Sequence, residues 1–182
     1  IRFSSNFIID ELTIDKVELD SGKVSGIGLS SRLSYFKKFN NHLITLYGKY
    51  IYVGTHTFRH THGYNNFIQR GLPLGWKYGS DGYSFLIGCV YFNSNDIIVT
   101  ANVSKNLIGA SAVYRNQYET FTNNYKDGPF PSGIIEEISL IDIKFQYKYD
   151  SKTNFYFDFI LENNKNSNVK REINIGFFKN IF

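Results

Sequence analysis

The chain has 182 residues, the length of one ordinary domain, with 42% hydrophobic and 18% aromatic residues. No run of about 18 apolar residues occurs, which excludes a transmembrane helix. The net charge of +4 comes without a block of like charge, which argues against a nucleic-acid surface, and the single cysteine, Cys89, excludes an internal disulfide.

Ile1 reads as lying inside a strand that runs toward Asp10. The chain also contains no methionine and no signal peptide, so it reads as a mature form or, given Ile1, as a fragment. Residues 24–36 alternate with period 2: Ile27, Leu29, Leu33 and Tyr35 share one face, and Gly26, Gly28, Ser30, Arg32 and Ser34 the other. Residues 43–55 and 83–92 are apolar on both faces and read as strands of less definite orientation. Residues 97–104 alternate again. The pattern is clearest over 134–149, where Ile141, Ile143, Phe145, Tyr147 and Tyr149 oppose Asp142, Lys144, Gln146 and Lys148. Residues 154–162 set Phe155, Phe157, Phe159 and Leu161 against Tyr156, Asp158, Ile160 and Glu162. Residues 170–182 complete eight expected strands.

The connections alternate in length. Those at 10–23, 56–82 and 107–133 are long, and those at 37–42, 93–96 and 150–153 are short. Short turns at one end and long loops at the other are the plan of an outer-membrane barrel, with periplasmic turns and extracellular loops. Aromatic residues gather at strand ends, in Tyr35 and Phe36, Tyr50 and Tyr52, Tyr91 and Phe92, Tyr147 and Tyr149, Phe178 and Phe182, as interfacial girdles do. If the last strand ends in the periplasm, counting backwards puts every long loop outside. Phe182 also suits the terminal aromatic that barrel-assembly machinery recognises. The expected fold is therefore all-β, an antiparallel transmembrane β-barrel. Its eight strands either close by themselves or form part of a larger barrel, because unpaired strand edges are not viable in lipid. Arg32, Asp142, Lys144, Gln146 and Asp158 are expected to face the lumen.

The loop 56–82 holds three His, two Arg and the sole Trp of the chain. Three stretches resemble the capsule-assembly Wzi family of outer-membrane proteins: Phe7-Ile8-Ile9-Asp10-Glu11-Leu12; Arg59-His60-Thr61-His62 with Asn65-Asn66; and Arg70-Gly71-Leu72-Pro73-Leu74-Gly75 followed by Gly79-Ser80-Asp81. Trp76 and Ser80 stand where that family usually has His and Pro. The resemblance implies a barrel of roughly eighteen strands, within the range such barrels span, of which this chain is the C-terminal part. It also implies a non-enzymatic role in attaching or organising capsular or related exopolysaccharide on a Gram-negative cell.

Sugar recognition needs aromatic faces and planar hydrogen-bonding groups. Arg59, His60, His62, Asn66, Arg70, Trp76 and Asp81 are the candidate contacts, and loop 107–133 adds Tyr114, Arg115, Asn116 and Tyr118. His56, His60 and His62 form the sole candidate metal cluster and read instead as loop hydrogen-bonding groups, with Arg59 and Arg70 expected to pair with Asp10, Glu11 or Asp81. No cofactor motif occurs. The glycines of the loop are turn punctuation, since no helix and no Lys-Ser/Thr follow them. Ser80 and Asp81 near the histidines make no hydrolase signature, so no enzyme is expected. The alternative role is a transport pore whose selectivity is set by the lumen residues.

Overall fold

The computed structural model describes residues 1–20, 25–58, 68–70, 72–93, 96–113, 129–150, 153–165 and 169–179. Eight long strands form one antiparallel sheet: β1 (Arg2–Glu11), β2 (Gly26–Phe39), β3 (His42–Val53), β6 (Gly82–Asn93), β7 (Ile97–Ile108), β8 (Glu136–Lys148), β9 (Thr153–Asn164) and β10 (Lys170–Lys179). Each pairs with the strand before it in this order. A small hairpin of β4 (Ile68–Gln69) and β5 (Leu72–Pro73) sits between β3 and β6, and one short helix, α1 (Lys16–Asp20), between β1 and β2. Among the described residues β1 pairs only with β2 and β10 only with β9, so the eight strands form an open sheet and do not close on themselves.

The register fixes which side chains share a face, because residues directly opposite in an antiparallel pair point the same way. The row Ser4, Arg32, Lys49, Leu86, Ser104, Leu140 and Glu162 crosses the sheet on one face. Asn102 faces Asp142, Thr100 faces Lys144, Ile98 faces Gln146 and Lys144 faces Asp158 on that same face. All the expected lumen residues therefore lie together. The opposite face carries Phe7, Leu29, Tyr52 and Tyr83 in one row and Ile87, Val103, Ile141 and Leu161 along another. The paired faces expected over 134–149 and 154–162 are present in the register.

The long connections all leave from one end of the sheet. At the other end β2 and β3 are joined by Asn40 and Asn41 alone, with Phe39 paired to His42. The turn expected over 37–42 is thus shorter, because Lys37 and Lys38 still pair with Ile44 and Leu43. Asn40 takes φ +50°, a left-handed conformation that Asn tolerates better than most residues in so tight a turn.

Burial is concentrated at the long-loop end. Among the described residues Val53, Phe58, Ile108, Ala112, Val113 and Ile138 are the buried hydrophobic ones, with Trp76 and Tyr78 packed against Ile108, Ala112 and Ile138. The middle of the sheet has no such core. Leu46, Phe85, Ile87, Val103 and Ile175 are exposed there, Ile87 by 75%. A soluble sheet would bury one of its faces; here the more apolar face is the uncovered one.

Candidate functional site

The connection from β3 to β6 folds over the polar face at its loop end, and the side chains that pin it come from three connections. Asp10, at the end of β1, accepts a hydrogen bond from the Phe58 amide at 2.7 Å. Thr57 Oγ1 donates to the Ile27 carbonyl at 2.7 Å, and the Gly54 amide donates to the same oxygen at 2.9 Å. The corner at Asp10 is therefore a clamp on the loop that follows β3.

Asp81 is the centre of the arrangement. It is fully buried and holds φ +61°. Its carboxylate accepts from Thr55 Oγ1 at 2.8 Å, the Ser111 amide at 3.0 Å, the Ser132 amide at 2.9 Å and Ser132 Oγ at 2.6 Å. A carboxylate has about four acceptor sites, and a buried one without donors would be costly. Asp81 thus ties the β3–β6 connection to both ends of the β7–β8 connection. Ser80 joins it, accepting from the Val113 amide at 3.0 Å. Among the described residues none of the partners of Asp81 is an arginine; Arg70 does not pair with it, and Arg59, the other arginine expected to pair here, lies outside the described residues. The carboxylate faces inward, not toward the outer surface of the loop.

Trp76 is half-buried. Its indole packs on Ile108, Ala112 and Ile138, meets Tyr78 edge-on at 5.2 Å between ring centroids, and lies over Gly82. A Cβ on Gly82 would come within 2.9 Å of the ring, so the glycine is what lets the indole approach the sheet. Trp76 is an anchor for the loop, and much of the stacking face expected for sugar is used internally. Arg70, in the hairpin turn between β4 and β5, is exposed with φ +51° and has no ion-pair partner among the described residues. Arg59, His60, His62 and Asn66 lie outside the described residues, as do Tyr114, Arg115, Asn116, Tyr118 and Phe182. Among the described residues no group of His, Cys, Asp and Glu is arranged to hold a metal.

The polar face below the loops is linked across strands. The Arg32 guanidinium lies 4.1 Å from the Tyr47 ring centroid, and Arg32 Nε donates to Ser34 Oγ at 3.2 Å. Tyr47 reaches across β6, over Gly88, to donate to Asn102 Oδ1 at 2.5 Å. Asn102 Nδ2 donates to Asp142 Oδ2 at 3.3 Å. Asp142 Oδ1 is buried and has no hydrogen-bond partner among the described residues. Lys77, beside Trp76, hangs over this face with its ammonium 4.4 Å from the Tyr78 ring centroid. Burial pushes the Lys77 pKa down, while the charges of Glu162 and Asp142 work in the opposite direction. Sequence reasoning did not find Lys77, and nothing in the segment Gly75-Trp76-Lys77-Tyr78 distinguishes it from a solvated loop lysine.

On the other face the aromatic residues form two clusters. At the loop end Tyr50 meets Phe85 at 4.8 Å, Tyr52 meets Phe130 at 4.7 Å and Tyr83 meets Phe85 at 5.9 Å. At the turn end His42 stacks between Phe39 and Tyr91, with its Nδ1 2.8 Å from the Tyr91 hydroxyl, and Phe155 contacts Tyr147, Tyr149 and Phe177. Phe36, Phe92 and Phe178 instead point to the polar face, so the pairs Tyr50 with Tyr52 and Tyr147 with Tyr149 join the clusters whole, while Tyr35 and Tyr91 face the apolar side without their neighbours.

Comparison with known protein families, characterised proteins and solved structures finds no match. The resemblance to the Wzi family rests on the residues quoted above.

Proposed function

We propose that this sheet is part of the wall of an outer-membrane β-barrel of Wzi type, which holds or organises capsular or related exopolysaccharide at the cell surface without catalysing a reaction. The observation that carries the membrane part is the distribution of charge on the uncovered face. Among the described residues the charged positions that the register gives this face are Lys37, Lys105, Glu137, Arg171 and Lys179, each within the last two positions its strand gives to that face. The band between carries no charge on any of the eight strands, and its polar pair, Ser5 and Ser31, is hydrogen-bonded to itself at 2.9 Å. At about 4.8 Å per strand it is roughly 34 Å wide. From Tyr83 to Tyr91 the strand rises about 26 Å, enough when tilted for a hydrocarbon band with an aromatic girdle at each edge. Exposed apolar patches beyond a few hundred Å² on a soluble monomer mark a binding surface, and lipid is the partner that fits one this uniform.

At the loop end Glu137 accepts hydrogen bonds from Lys105 and Lys165 at 2.8 and 2.5 Å, an ion cluster suited to the headgroup level. The edges at β1 and β10 require further strands in lipid, which is why we assign this sheet to a larger barrel. That barrel would be inserted by the barrel-assembly machinery, with the long loops outside.

The polysaccharide part rests on the resemblance and on the loop. The Asp81 and Asp10 contacts pin its base, and Arg70 is exposed in a hairpin turn with no ion-pair partner among the described residues. Arg59, His60, His62, Asn66 and Arg70 are the contacts we assign to sugar hydroxyls or acidic sugar carboxylates. Trp76 and Asp81 hold the loop in place. The decisive experiment is the pair Arg59→Ala and Arg70→Ala in cells that make capsule. Capsule should be synthesised but shed into the medium, and normal retention by a correctly inserted variant would end this reading. A pore remains the second reading, since charged groups line the inner face. The loop roof over that face favours a closed mouth, and a large steady conductance in planar bilayers would reverse the order.

A further inference from the structure

Beneath the roof formed by Phe58 and residues 75–77 lies a cavity of about 650 Å³, within the range of small-molecule sites. Its floor is the inner face of the sheet, where Ile51, Leu86 and Leu140 supply apolar surface, and Trp76 closes it from above. In the middle of that floor the polar groups of Ser84, Ser104 and Asn106 are already used, and Asn6 and Ser30 at its β1–β2 edge are the open ones. Ser84 Oγ donates to Asn106 Oδ1 at 2.7 Å, and Asn106 Nδ2 donates to the Ile138 carbonyl at 3.2 Å. A ligand rich in hydroxyl groups would find few open partners there. A ligand with a hydrocarbon body would displace water from apolar surface at no hydrogen-bonding cost.

One margin of the cavity is charged. Lys49 lines it and lies directly opposite Arg32 across β2 and β3, with Leu86 on its other side. Neither cation has a carboxylate partner among the described residues. Like charges facing each other across a strand pair are unfavourable, and a bound anion would relieve them. Lys77 adds a third cation at the roof.

We propose that this cavity binds a free medium-chain alkyl carboxylate, with its tail between Trp76 and the Ile51, Leu86 and Leu140 floor and its carboxylate against Lys49. The cavity opens on the face away from the apolar band, so the occupant comes from the aqueous side and not laterally from the bilayer. This assignment is independent of the polysaccharide reading, which concerns the outer surface of the loop.

The test is titration of the protein, in nanodiscs of zwitterionic lipid, with decanoate and with decanol, read by tryptophan fluorescence. The signal of interest is the part lost in Trp76→Phe. Decanoate should give a saturable change at least tenfold tighter than decanol. Lys49→Gln should bring decanoate to the level of decanol, Lys49→Arg should keep the preference, and Leu140→Trp should abolish binding of both by filling the cavity. The same affinity should hold in discs containing an anionic phospholipid. The proposal is overturned by absence of a saturable change, by equal affinity for the two amphiphiles, or by a Lys49→Gln protein that binds as the parent does. Loss of decanoate binding in anionic discs would also overturn it, because a bilayer lipid would then be the occupant.

Discussion

The Gly109 amide donates to the Asp81 carbonyl at 2.7 Å, and a Cβ on Gly109 would lie 2.0 Å from Asp81 Oδ2. The bare glycine is thus what allows the buried carboxylate to sit against the backbone at the end of β7 and still receive Ser111 and Ser132. Gly109→Ala must push Asp81 or the backbone of Ser132 aside, since the added carbon would also come 2.5 Å from the Ser132 nitrogen. We expect a loss of about 2–4 kcal/mol, in the range of overpacked cores and broken buried networks. The loss should be confined to the loop end. Protease should then cut the loops of Gly109→Ala while the strands stay protected, and an unchanged digestion pattern would count against the role of Asp81 as the tie.

Asp81→Asn tests the charge of the same group. The amide has one acceptor oxygen in place of two and adds donors where four donors already converge. At least one donor of Thr55, Ser111 or Ser132 is left unpaired, at about 1–3 kcal/mol. Asp81→Asn should therefore loosen the loops nearly as much as Gly109→Ala. Full parental stability in this variant would mean that the four contacts contribute little.

On the polar face the comparable position is Gly88. A Cβ there would meet Asn102 Oδ1 at 2.4 Å and the Tyr47 hydroxyl at 2.6 Å. Gly88→Ala should move Tyr47 off Asn102 and cost about 1–3 kcal/mol. Combined with Tyr47→Phe, which already lacks the hydroxyl, the cost should be less than the sum of the two single changes. Strict additivity in that double-mutant cycle would show that the two residues do not interact.

The faces of the strands were legible because period 2 needs only local information: Ile141 and Asp142 alternate whatever the rest of the chain does. The clustering of long loops at one end was legible for the same reason, since an antiparallel meander fixes it once the strands are placed. The role of Asp81 was not. Its partners Ser111 and Ser132 are 30 and 51 residues away, and nothing near Gly79-Ser80-Asp81-Gly82 announces them. Trp76 was read as a sugar platform because an aromatic loop residue has no period to show which way it points; Ile108 and Ile138, which receive it, are likewise distant in sequence. The short hairpin and helix α1 escaped because two paired residues, or five helical ones, carry no measurable periodicity. Adjacent aromatics such as Tyr91 and Phe92 were read together as a girdle, yet successive residues of a strand face opposite ways, so only Tyr91 joins it.

The turn Asn40-Asn41 gives a prediction about local conformation. At φ +50° a branched side chain meets the carbonyl that follows. Asn40→Val should cost about 1–2 kcal/mol per the left-handed penalty for L-residues, whereas Asn40→Gly should be close to neutral. Equal stability of the two variants in refolding titrations would place the strain elsewhere.

Topology follows from the loop ends. Leu72, 70% exposed in the hairpin, belongs to the end we assign to the cell exterior, and Asn41 to the periplasmic end. In a Cys89→Ala background, an impermeant thiol reagent should label Leu72→Cys in intact cells and Asn41→Cys only after the outer membrane is opened. The opposite pattern would invert the orientation.

The last prediction concerns which face meets lipid. Phe157 lies between Phe145 and Ile175 on the uncovered face, and its neighbour in sequence, Asp158, lies between Lys144 and Asn174 on the polar one. Arginine near the middle of a bilayer-facing strand costs about 2–4 kcal/mol, because its charge must leave water or drag water in. Phe157→Arg should therefore lower folding efficiency into lipid vesicles by that amount. Asp158→Leu removes a carboxylate opposite Lys144, a pairing in a wet setting, and should cost no more than about 1 kcal/mol. The contrast separates membrane insertion from ordinary loss of packing. In a soluble sheet whose apolar face met another protein, Phe157→Arg would impair assembly with that partner and leave vesicle binding unaffected. If instead Asp158→Leu blocked insertion and Phe157→Arg did not, the polar face would be the one that meets the bilayer, and the assignment of lumen and lipid would have to be exchanged.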